Sequence, residues 1–384
     1  MSIYLLVMNG NKNIIVKIAL LIAISLCGCQ GDDMEEDFDK KLEQIYAKNH
    51  LPSLSACILT ENGIQWTVYK GYANKENEKK ADEETIYHIG SISKLFILTA
   101  IMQLEEQGKI NLDEDINQYL PIKLRHPNHN NVPITTRMLL THTTGLSKPG
   151  TFNSQNGMWN LFAPDQGPSP SDWIPMYLTP SGSQYDAKLW QSVPPGKYEI
   201  YSNIGTCVAA YIVEQISGMD FRQYCSKNIF GPLSMQHTSY NYADLDWNKI
   251  ALLYDRNGHG SQYFDNRVYA SGGVKSTIND LSKFAQCYLN YGIYNGTRIL
   301  NEATVDKIFK LQNPATGRCL IWQISGGEWY GHIGGLELGA STTLAIHPES
   351  KTGFIIFTNA HLGIVNPGGE IYWLIRQKSN EYMD

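Results

Sequence analysis

Ser91-Ile92-Ser93-Lys94-Leu95-Phe96-Ile97-Leu98-Thr99-Ala100-Ile101-Met102-Gln103-Leu104 decides how this chain reads. The spacing predicts a helix over 92–107, ended by Gly108. Leu95, Phe96, Ile97, Leu98, Ala100, Ile101 and Leu104 cover most of its circumference, and a helix apolar nearly all round belongs at the centre of a protein. Ser91 then stands at the helix start, where backbone N–H groups point outward and the dipole is positive. Lys94 lies one turn further on, on the same face. Of all the lysines, only Lys94 has a serine three positions before it. Burial beside a positive helix end disfavours the charged amine, which lets it take a proton from Ser91. The plainer reading is an N-cap serine and a surface lysine, but this helix offers few solvated faces.

Outward from the helix, strands are expected at both ends of the chain. Before it, 54–59 and 65–69 read as a hairpin turning at Glu61-Asn62-Gly63. After it, 320–324, 328–333, 339–347 and 353–359 are strand-like, with a turn over 348–352. Helices are expected over 207–217 and 278–289, and a closing helix from Ile371. Strands at both ends with helices between predict an α+β fold: one antiparallel sheet completed by both termini, flanked by helices, with a mainly helical insert over about 108–300. Residues 148–200 are rich in Pro, Gly, Ser and aromatics and read as long loops. Phe152, Trp159, Phe162, Trp173, Tyr177, Tyr185 and Trp190 fall there. Most are expected to pack beneath the loop, with one or two lining a cleft.

Two further short patterns carry chemistry. Tyr201-Ser202-Asn203 follows Pro194-Pro195-Gly196 and precedes a helix. His332-Ile333-Gly334-Gly335 lies on a late strand. Each is weak alone, since Tyr-x-Asn and His-x-Gly recur elsewhere. Their order after Ser91 and Lys94 singles them out.

With these residues in place, the chain resembles the class C β-lactamase and D-alanyl-D-alanine carboxypeptidase/esterase group of serine hydrolases. The stretches 87–90, 139–146, 232–235 and 271–273, the last followed by Asp280-Leu281, are similar to the family as well. The resemblance implies a β-lactamase/transpeptidase-like fold, an acyl-enzyme on Ser91, and Lys94 and Tyr201 as the proton-transfer pair. Asn203 would hydrogen-bond Lys94 and substrate. The N–H groups of Ser91 and Gly335 would form the oxyanion hole, with small residues at Gly334 and Gly335 for that reason. No metal or cofactor is implied. The family's β-lactamases normally begin the third motif with lysine. Here it begins with His332, which is neutral near pH 7 and expected to offer one donor rather than a fixed charge. That favours a D-amino-acid peptide, ester or amide over a β-lactam. A β-lactamase and a catalytically silent peptidoglycan- or partner-binding protein are the alternatives.

The N-terminus reads separately. Lys12 and Lys17 lead into a short apolar run, and Leu26-Cys27-Gly28-Cys29 follows it. The run is too short to cross a bilayer and suits a secretory signal over 1–28. Residues 26–29 resemble a bacterial lipobox with Cys29 as the lipidated residue. An ordinary cleaved signal is the other reading, and Met8 is a candidate initiator. Residues 29–40 read as an acidic tether, which also resembles the surface-export signal of some Bacteroidetes-type lipoproteins. The hydrolase domain then covers 41–384, opening with a helix on Phe38, Leu42, Ile45 and Tyr46. The expected location is a bacterial cell envelope, anchored by lipid and facing the periplasm or the outer-membrane surface. A net charge of −6 with no basic block excludes a nucleic-acid partner. Cys57, Cys207, Cys225, Cys287 and Cys319 are scattered, without CxxC, and read as buried hydrophobes. His126-x-x-His129 reads as a polar loop rather than a ligand pair.

Overall fold

The computed structural model describes residues 37–146, 161–361 and 363–383. The chain divides into two compact units, Met1–His50 and Leu51–Asp384. In the first, residues 37–48 form a helix (α1), which runs through the expected tether boundary at 40/41. Lys41 pairs with Asp37 one turn before it. The signal, lipobox and start of the tether lie outside the described residues, as do Phe152 and Trp159. Among the described residues no helix is long and apolar enough to cross a membrane.

The second unit is organised by a seven-stranded antiparallel sheet. Its N-terminal strands are Ser53–Thr60 (β1), Gly63–Asn74 (β2) and Lys79–Lys80 (β3). Its C-terminal strands are Gln323–Ser325 (β4), Trp329–Leu336 (β5), Ala340–His347 (β6) and Thr352–Thr358 (β7). The order is β4-β5-β6-β7-β1-β2-β3. The chain ends meet at the centre, where Cys57 pairs with Ile355 and Ala56 with Ile356. The strand 320–324 expected from the sequence begins only at Gln323, because Ile321 turns into the left-handed region (φ +61°).

Side chains alternate across a strand, so β7 serves both faces. Ile355 and Phe357 join the main hydrophobic core. Phe354 points the other way and meets Tyr372 edge-on in the closing helix, Glu370–Ser379. Between the two sets of strands lies the insert. The longest helices are Lys94–Glu106 (α2), just before the insert, and Asn203–Ser217 (α3) and Ile278–Leu289 (α4) within it, and the last packs on β1 and β7. Long irregular stretches join them. Every residue of α2 from Lys94 to Leu104 is buried, as its all-round apolar surface requires. The aromatic loop is held mainly by burial: Trp173, Tyr177 and Trp190 all lie in the main core.

Candidate active site

The serine stands on a tight 3-10 turn, Gly90–Ser93, that leads into α2. This turn is wedged against β5. A Cβ on Gly90 would sit 2.8 Å from the Gly335 nitrogen, and one on Gly334 would sit 2.0 Å from the Ile89 carbonyl oxygen. Gly90 also has φ +53°. Glycine is therefore required on both sides of the junction, by close approach and by backbone angle. Thr342 Oγ1 donates to the same Ile89 carbonyl (2.8 Å) and ties the turn to β6. This packing brings Ser91 and Gly335 onto the wall of one cavity of about 640 Å³.

Lys94 is fully buried. Its Nζ donates to Ser91 Oγ (2.9 Å) and to the Ser271 carbonyl (2.8 Å). The sequence reading gave Lys94 to Asn203. The structure gives that place to the Ser271 carbonyl, and Asn203 Oδ1 is a buried atom without a hydrogen bond. Tyr201 closes the group, its ring centroid 4.9 Å from Lys94 Nζ. The Tyr201-Ser202-Asn203 order has a local cause. Ser202 Oγ accepts from the Gly205 N–H (2.9 Å) and caps α3, which sets Tyr201 just outside the helix start.

His332 is on the cavity wall, with its ring centroid 6.3 Å from that of Tyr201. Burial, reinforced by Lys94 and Arg318, pushes its imidazole down to about 3, so the ring is neutral. Its Nδ1 donates to the Ile333 carbonyl (2.8 Å). The remaining nitrogen, Nε2, is then an acceptor. The expectation of a donor from His332 is thereby corrected, because the backbone carbonyl takes the single ring proton.

Positive charge enters the cavity from elsewhere. Among the described residues that line it, Arg318 alone carries a permanent positive charge. Its Nε donates to Glu199 (2.9 Å) and its Nη1 to the Ile321 carbonyl (2.6 Å). Arg318 is buried and Glu199 partly so. Sequence reasoning missed Arg318, since its partner lies 119 residues away. It also gave no role to Ser271, which serves through a main-chain atom. None of the described loop aromatics lines the cavity.

Farther off, both nitrogens of His126 are engaged. Nδ1 accepts from Asn128 N–H, and Nε2 lies 2.6 Å from the Gln191 carbonyl.

The arrangement of serine, lysine, tyrosine and two glycine-rich backbones can be set beside known proteins. A family model described as Beta-lactamase matches residues 38–370. The chain belongs to the beta-lactamase family. It is similar to the D-alanyl-D-alanine-carboxypeptidase/endopeptidase AmpH of Escherichia coli (strain K12), with 24% identity over 353 residues and 84% of each chain covered. Its fold is similar to the octameric penicillin-binding protein homologue from Pyrococcus abyssi, with a TM-score of 0.70, 26% identity, and 85% of this chain and 73% of that one covered. A class C beta-lactamase shares the fold at 18% identity and a TM-score of 0.70, over 90% of this chain and 96% of that one. This beta-lactamase-family chain is a serine hydrolase by family, and its third motif departs from lysine at His332.

Proposed function

We propose that the chain is an acyl-serine hydrolase of the cell envelope that acts on a D-amino-acid peptide, ester or amide. The observation that carries this reading is the 2.9 Å hydrogen bond between buried Lys94 and Ser91. In its neutral form Lys94 takes the Ser91 proton as Oγ attacks the substrate carbonyl, and Tyr201 passes a proton to the leaving group. The Ser91 and Gly335 N–H groups hold the developing oxyanion. In the second half, Tyr201 activates a water that cleaves the acyl-enzyme. Asn203 Oδ1 and His332 Nε2 accept hydrogen bonds from the substrate, and Gly334 keeps the strand close.

Arg318 favours a substrate with a free carboxylate, which a peptide ending in D-alanine provides and a simple ester does not. Residues 1–28 act as the lipoprotein signal, Cys29 carries the lipid, 29–40 is the tether and 41–384 the hydrolase domain. Release of D-alanine from a D-alanyl-D-alanine peptide tests the substrate. Arg318→Met is expected to raise KM for that peptide at least tenfold and to leave p-nitrophenyl acetate hydrolysis within threefold. An equal effect on both substrates, or no release of D-alanine, contradicts the carboxylate reading.

A further inference from the structure

His142 carries a side chain where the backbone asks for none. It follows the short helix Thr136–Leu140. The His142 N–H donates to the Leu139 carbonyl (3.4 Å) and the Thr143 N–H to the Met138 carbonyl (2.9 Å). These paired bonds close a helix whose second residue past the end is left-handed, a place usually taken by glycine. His142 has φ +57°. A histidine held in this conformation points to a duty for its side chain.

That duty converges on one neighbour. The Ile200 N–H donates to the His142 carbonyl (2.7 Å). The Ser202 N–H donates to His142 Nδ1 (3.3 Å). The imidazole centroid lies 4.5 Å from the Tyr201 ring centroid. One residue thus grips the chain on both sides of Tyr201 and lies against its ring. Since Nδ1 accepts, the proton of the neutral ring sits on Nε2. Burial, and then the charges of Arg318 and Lys94, hold the ring well below the usual histidine range. It adds no positive charge beside Lys94.

We propose that His142 is a positioning residue that fixes the Tyr201 phenol beside Lys94 for proton transfer. It does not line the cavity, so it acts through Tyr201 rather than on substrate. The inference rests on the proposed roles of Ser91, Lys94 and Tyr201.

A double-mutant cycle tests it, read as the rate of Ser91 phosphonylation by a fluorophosphonate and as kcat and KM on p-nitrophenyl acetate. In the labelling step Ser91 Oγ bonds to phosphorus as its proton passes to Lys94, and the P–F bond breaks as Tyr201 passes its proton to the departing fluoride. His142→Gly suits the left-handed backbone but removes both acceptor and ring. It should lower the labelling rate and kcat at least tenfold with KM within threefold. His142→Asn keeps an acceptor near the Nδ1 position and tolerates a positive φ. It should recover at least threefold over His142→Gly. In a Tyr201→Phe background, either His142 change should cost less than twofold. Additive losses in the cycle, or a normal rate in His142→Gly, overturn the proposal while leaving the functional reading intact. If His142→Gly does not fold, the His142→Asn arm of the cycle decides in the same way. Failure of wild-type Ser91 to label, or a normal rate in Tyr201→Phe, overturns the functional reading first and the proposal with it.

Discussion

His332 and His88 are both buried imidazoles that the fold keeps neutral, and both are pushed down to about 3. For His88, burial is the main cause and Lys275 adds to it. In the unfolded chain these rings bind a proton below about pH 6.5. The unfolded state therefore holds more protons below that pH, and stability is lost as pH falls from 6.5 toward 3. Glu214 has the opposite sign. Burial raises its carboxyl to about 7, so the stability it lends is full below 4.5 and lost as pH rises through 7. We expect the urea midpoint to fall between pH 6.5 and 4.5. His88→Gln should flatten that limb, and Glu214→Gln should steepen it by removing the opposing slope. Unfolding curves at fixed pH check this, and a limb unchanged in both variants contradicts it. At this scale the sequence singled out Ser91, Lys94, Tyr201 and His332 because their chemistry is rare in that order, and the structure places them side by side. It could not choose the acceptor for Lys94, since a main-chain carbonyl has no residue type. Nor could it assign the His332 proton, which depends on the Ile333 carbonyl.

Among the elements, the junction of the Gly90–Ser93 turn with β5 is the critical one. Gly90→Ala would force its Cβ to 2.8 Å from the Gly335 nitrogen at φ +53°. The turn or the strand must shift, and the two oxyanion donors part. We expect at least a hundredfold loss of turnover, about 2.7 kcal/mol of transition-state stabilisation. The far-ultraviolet circular dichroism should stay unchanged. Near-normal turnover in Gly90→Ala removes the oxyanion role from this junction. Elements with a strong local period were legible: the hairpin that became β1 and β2, the helix that became α2, and the paired strands β6 and β7. The loops were not. Seven rings in a polar stretch suggested that most would pack beneath the loop and one or two would line a cleft; Trp173, Tyr177 and Trp190 did go to the core, and none of the described loop rings lines the cavity. Ring count measures burial to be gained and carries no direction.

Over the whole molecule, the sheet closes through pairing of residues about 300 positions apart, as in Cys57 with Ile355. That closure was legible because apolar strands stand at both ends of the chain. The Arg318–Glu199 pair was not, because no local pattern links two residues in irregular segments. The proposed attachment to the membrane is a separate matter and rests on residues outside those described. A lipidated N-terminal cysteine anchors through several acyl chains, whereas one chain binds only marginally. Cys29→Ser should move the protein from the membrane to the soluble fraction. Its continued sedimentation with membranes contradicts lipid anchoring. Every catalytic step proposed above starts from an acyl-enzyme on Ser91, and intact-protein mass spectrometry after fluorophosphonate treatment checks that nucleophile. One adduct is expected, mapped to Ser91, and none in Ser91→Ala. That variant should melt like wild type and lose at least several hundredfold in turnover. An adduct on another residue, or substantial turnover in Ser91→Ala, contradicts it.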